Sequence, residues 1–108
     1  TAVLDARMSE VYIASFKLDE NNIMQAVDDE QLLSYEKAQN AVKYQLIGSG
    51  AGLVNEEQIQ YKGLSATAED IATIARELAK HEKWLDAELA LPVYLRDNAW
   101  KKIPEQGK

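Results

Sequence analysis

Leu4-Asp5-Ala6-Arg7-Met8-Ser9-Glu10-Val11-Tyr12 is the stretch on which the fold of this chain turns. It reads as strand, tight polar turn, strand. The second strand runs on through Ile13-Ala14-Ser15-Phe16-Lys17-Leu18. Asp5 closes the first strand where the chain reverses. A hairpin of this shape can cradle a nucleotide phosphate when glycines line its turn and let backbone N–H groups approach the anion. Here Ala6, Arg7 and Met8 fill the turn, and their side chains obstruct that approach. The outline of a nucleotide site is present without its glycine chemistry.

Working outward, Thr1 to Ala6 forms a short apolar strand and Arg7-Met8-Ser9 the turn. Glu10 to Leu18 forms a longer strand. Tyr12, Ala14, Phe16 and Leu18 fall on one face of it, Val11 and Ile13 on the other. Both faces begin apolar, which predicts a central strand covered on both sides. Asp19-Glu20-Asn21-Asn22 is a turn signal, and Ile23 to Val27 alternates as a third strand. The first three strands then make an antiparallel meander. Asp28-Asp29 offers a helix cap for a short helix around Glu30 to Gln39. Lys43 to Ile47 reads as a fourth strand that empties into Gly48-Ser49-Gly50-Ala51-Gly52. Residues 53–64 carry no clear pattern.

A stronger helix follows. Thr67 with Asp70 has the form of a capping box. Ile71, Ile74 and Leu78 mark one face, with Ala75 and Ala79 beside them. Lys80, His81 and Lys83 suit the negative end of the dipole. Trp84 to Leu91 reads as a short helix or bend stopped by Pro92. Val93-Tyr94-Leu95-Arg96 is compact and mostly apolar. Three strands, helix, strand, glycine loop, helix is the order of a ribonuclease-H-like half-domain, an α/β fold with a mixed sheet. The reading divides the chain into a lobe over residues 1–95 and a polar, basic tail over 96–108. From Arg96 onward four residues are basic and two acidic.

Composition narrows the function classes. The chain has 108 residues, the size of one domain. Hydrophobic residues make up 46% and charged residues 28%, the balance of a globular chain. A net charge of -6 argues against a uniformly basic nucleic-acid footprint. With no cysteine there are no disulfides, thiolate nucleophiles or cysteine metal sites, which is compatible with a reducing cytosol. No apolar run approaches the ~20 residues that span a bilayer, so no membrane partner is expected. No signal peptide is read. The start at Thr1, on what looks like a buried strand, leads us to expect part of a longer protein.

Several motifs have both a chemical and a structural account. Gly48-Ser49-Gly50 could let N–H groups reach a phosphate or adenine at a strand-to-helix junction. It lacks the lysine and Ser/Thr of a P-loop, and no obvious helix follows it. A tight turn explains it as well. Asp5 and Glu10 could hold a hydrated metal at the hairpin mouth, but Arg7 between them predicts a surface ion pair with one of them. His81 is the only histidine, so the paired histidines of a zinc protease helix are missing. The serines have no G-x-S-x-G context. Trp84, Tyr94 and Trp100 are expected to pack back on the domain. Lys101 and Lys102 beside Trp100 could touch RNA phosphate, although a solvated tail accounts for them too. No catalytic residue, metal or cofactor is assigned. Gly48, Ser49 and Gly50 stand as vestigial nucleotide-loop candidates.

The opening block, Ile47-Gly48-Ser49-Gly50, and Pro92-Val93-Tyr94-Leu95-Arg96-Asp97-Asn98-Ala99-Trp100-Lys101-Lys102 together resemble the bacterial TsaB (YeaZ) family. That family is also labelled glycoprotease-like, or M22-peptidase homologues. The resemblance covers the whole chain and matches the C-terminal half of the family's length. It implies a lobe of an actin-like ATPase superfamily protein, in the cytoplasm. It further implies a non-catalytic scaffold or activator acting with TsaD and TsaE in threonylcarbamoylation of the tRNA adenosine beside the anticodon. Contact with TsaD would run mainly through the N-terminal lobe. Without that lobe, exposed apolar surface is expected to favour a homodimer. tRNA would be engaged indirectly. Leu91 before Pro92 departs from the acidic residue frequent in the family. The glycoprotease label also carries an enzyme alternative, a peptidase or ATPase, which would need a nucleophile–base pair or a metal cluster.

Overall fold

A computed structural model describes residues 1–57 and 65–96. Five strands come first: β1 (Ala2–Asp5), β2 (Glu10–Ala14), β3 (Phe16–Leu18), β4 (Met24–Ala26) and β5 (Gln31–Ser34). Helices α1 (Tyr35–Ala41), α2 (Ala51–Val54) and α3 (Ala68–Lys80) follow, with a 3-10 turn at Ala87–Leu89. The main sheet has the order β1-β2-β5, antiparallel throughout. β3 and β4 form a separate two-stranded ribbon.

The meander is therefore present, but it is broken by a bulge. Phe16 faces Ala26 and Ile13 faces Gln31. Between those pairs lie two residues on one strand (14 and 15) and four on the other (27 to 30). The two extra residues bend the ribbon away from the sheet. Asp28 braces the bend. Its carboxylate accepts the Ser15 N–H at 2.6 Å and pairs with Lys43 at 3.1 Å. Ser15, wholly buried, shares a hydroxyl contact of 2.8 Å with Thr1.

This corrects the reading of Asp28-Asp29 as a helix cap. The third strand resumes at Gln31, and α1 begins at Tyr35 instead of near Glu30. Its cap is Ser34, whose Oγ accepts the Lys37 N–H. An Asp pair ahead of a helical stretch carries the same local signal as a bulge acid. Only the pairing of Leu33 with Val11 distinguishes them. The predicted fourth strand shrinks to one parallel bridge, Ala2 to Ile47.

The core lies on one side of the sheet. Val3, Val11 and Ile13 point at Ala38 of α1, Leu46, and Ala51 and Val54 of α2. Among the described residues the expected cover of the second face is only partial, with Ala14 buried and Tyr12 half-buried. On the opposite face Leu4, Tyr12 and Leu32 share one register line, and Leu4 is 51% exposed. α3 has its capping box: Thr67 and Asp70 exchange hydrogen bonds. Yet none of its residues is buried, and Ile71 is 60% exposed. Trp84 and Tyr94 are also exposed, against the expectation of core packing. They sit in a segment whose backbone hydrogen bonds, among the described residues, stay local. Trp100, Lys101 and Lys102 lie outside the described residues.

The Ser15 N–H, Asp28's strongest partner, with the Lys43 ammonium beside it, holds the Asp28 carboxyl below its ordinary range. A lowered carboxyl means the fold favours the ionised form. Its stabilisation is complete above about pH 4 and is lost as pH falls through the folded value. Asp28→Asn is thus expected to lower the melting temperature at pH 7. The gap to the parent chain should close below about pH 4. A gap that stays constant down to pH 3 would show that the ionised carboxylate is not the brace.

Candidate functional site: the hairpin mouth and the glycine loop

The hairpin turn is built from left-handed residues without glycine. Arg7, Met8 and Ser9 have φ of 64°, 55° and 59°. Each such residue costs roughly 1–2 kcal/mol against its right-handed alternative. Three sets of bonds hold the turn. Asp5 Oδ1 accepts the Arg7 N–H at 2.9 Å. The Glu10 N–H donates to Arg7 O, and the Ala6 N–H to Glu10 O. The third set comes from far away in sequence: the Arg96 guanidinium donates to Glu10 Oε1 at 2.7 Å, Ala6 O at 3.2 Å and Arg7 O at 3.4 Å, with Met8 Sδ at 3.2 Å.

Glu10 therefore pairs with Arg96, and the carboxylate of Asp5 accepts a backbone N–H. The expected ion pair of Arg7 with either acid is not the one formed, because the left-handed turn leaves Arg7 exposed at its tip. Sequence reading missed Arg96 by counting it with the basic tail. No local signal could have found it, since its partners lie about 90 residues earlier.

The glycine loop packs against the first strand. Gly48 has φ +113°, and a Cβ there would stand 2.4 Å from Val3 O. A Cβ on Gly50 would meet Val3 Cγ1 at 2.8 Å and the Leu4 carbonyl carbon at 3.1 Å. The Gly50 N–H donates to Val3 O at 2.9 Å, and Ser49 Oγ accepts the Asp5 N–H at 3.0 Å. The helix α2 does follow the loop, contrary to expectation, although it makes a single turn. The structure thus brings Asp5 and Ser49 together, beside the turn held by Glu10 and Arg96. His81 stands elsewhere, 3.5 Å from Glu77 on α3. Among the described residues no three His, Cys, Asp or Glu side chains gather as a metal site. No helix among them is long and apolar enough to cross a membrane.

Comparison with known proteins bears on what this arrangement belongs to. No family model matches the chain. Among curated proteins it is similar to the tRNA threonylcarbamoyladenosine biosynthesis protein TsaB of Escherichia coli (strain K12). The two are 35% identical over 119 aligned positions, covering 95% of this chain and 50% of that protein. The chain is similar to TsaB. It spans about half the length of the curated relative it matches. The TsaB likeness extends over nearly all of the chain.

Gly48→Ala and Gly50→Ala are expected to destabilise the chain, through overpacking against Val3 by about 1–3 kcal/mol. Gly48→Ala adds left-handed strain and should cost more. Urea unfolding would show a lower midpoint for both. An unchanged midpoint for Gly48→Ala would mean the loop does not press on Val3.

Proposed function

We propose that the chain is the C-terminal half of a TsaB-like protein with a ribonuclease-H-like fold of the actin-like superfamily. In this reading it is a non-catalytic scaffold or activator in the threonylcarbamoylation of tRNA adenosine beside the anticodon. It works in the cytoplasm with TsaD and TsaE, the first engaged mainly through the other half of the protein. The observation that carries the proposal is the 35% identity to TsaB over 95% of the chain.

The hairpin mouth supports a structural role for the residues that looked most chemical. Asp5 and Glu10 are engaged by a backbone N–H and by a guanidinium. The lone His81 faces Glu77 on an exposed helix. In the same reading, Gly48, Ser49 and Gly50 act as a joint that seats α2 against β1, and no nucleotide is assigned to them.

In cells depleted of TsaB, a chimera carrying this chain in place of the matching half of E. coli TsaB is expected to restore threonylcarbamoyladenosine, measured by mass spectrometry of tRNA nucleosides. Asp5→Ala in that chimera should retain modification within a few-fold. A general acid or base would be worth about 10²–10⁴, so a hundredfold loss would sink the scaffold role. A folded chimera that restores nothing would sink the pathway assignment.

A further inference from the structure

We propose that Pro92–Arg96 is a strap latched over the open face of the sheet by Arg96, and that the closed strap and the left-handed hairpin turn hold each other in place. Among the described residues, the segment before Arg96 has little else to anchor it. Glu82 to Tyr94 is exposed throughout, and Val93 is 71% exposed. Its backbone hydrogen bonds stay within the neighbouring turns: Lys83 to Leu78, Leu89 to Asp86, Ala90 to Ala87, Leu91 to Leu89. At Arg96 the character changes. Its side chain is 14% exposed and engages a carboxylate and two carbonyls of the turn. Between strap and sheet lies a groove of about 300 Å³, lined by Ala2, Leu4, Tyr12, Phe16, Val93 and Leu95.

The coupling follows from what Arg96 binds. Ala6 O and Arg7 O flank the start of a left-handed run that non-glycine residues adopt at a cost. Charge-assisted bonds to those carbonyls and to Glu10 favour that run over its alternatives. By linkage, whatever loosens the turn opens the strap, and whatever lifts the strap loosens the turn. The open strap removes the Val93 and Leu95 wall of the groove it shares with β1 and β2.

Trypsin reads this directly, because it must take the arginine side chain into its own pocket. Limited digestion of the 108-residue chain, followed by mass spectrometry, gives cleavage rates after Arg96, Arg7, Lys83 and Lys37. Lys83 is an exposed reference, and Lys37 within α1 reports global opening. In the parent chain, cleavage after Arg96 should be slow relative to Lys83. Glu10→Gln should raise cleavage after both Arg96 and Arg7 by about tenfold, with Lys37 unchanged, since cleavage follows the open population when closing is fast. Arg96→Lys keeps a tryptic site, loses the fork, and should behave the same way. The proposal is overturned if Arg96 in the parent chain is cut as fast as Lys83. It also fails if Glu10→Gln leaves the Arg96 rate within twofold, if Arg96 is released while Arg7 stays protected, or if Lys37 rises in step.

Discussion

The close approach of Gly48 and Gly50 to Val3 is the constraint on which the rest of this fold depends. Val3 is fully buried, and the strand that carries it is engaged along both edges. One edge of β1 pairs with β2. The other edge receives Ile47 O on the Val3 N–H and the Gly50 N–H on the Val3 carbonyl. Only residues without a Cβ at positions 48 and 50 can come this near. That approach seats Ala51 and Val54 in the core, which closes the covered side of the sheet. It also turns a loop with the outline of a phosphate cradle toward β1. Its N–H at Gly50 is already donated inward.

Much of this was legible in the residues, and the gaps have physical reasons. The hairpin could be read because alternation and a polar turn are local signals. The capping box at Thr67 and Asp70 could be read for the same reason, and the structure reproduces both hydrogen bonds. The bulge at residues 27–30 could not. Asp28 looks like a helix cap in sequence, and its actual partner, the Ser15 N–H, is fixed only once the strands pair. Arg96 is the extreme case. Its role depends wholly on contacts with the far end of the chain. Of the candidate site, the sequence indicated the residue types at the hairpin mouth and the loop, but not which charges would meet there.

The uneven distribution of apolar surface has a similar origin. The covered face of the sheet carries Val3, Val11 and Ile13, met by short helices. Among the described residues the other face has the strap above it. α3 has its cap, the Glu77–Lys80 ion pair and a contact of His81 with Glu77, while its Ile71, Ile74 and Leu78 stay open. A helix defined by local signals can be correct in its bounds and still say nothing of its neighbours. That is why periodicity located α3 but implied a burial that the described residues do not provide.

The pairing of β1 with the glycine loop also sets an order of events in time. Asp5 and Ser49 are 44 positions apart, yet they share a hydrogen bond. The β1–β2 hairpin can close as soon as its turn exists, but the outer edge of β1 stays unsatisfied until residues 47–50 have been synthesised and brought back. Such long-range closure is the slow step in chain assembly. During synthesis an open strand edge and a bare Val3 therefore persist from the emergence of β1 until residues 47–50 follow. The two glycines that complete the edge end that period of vulnerability to pairing with the wrong strand.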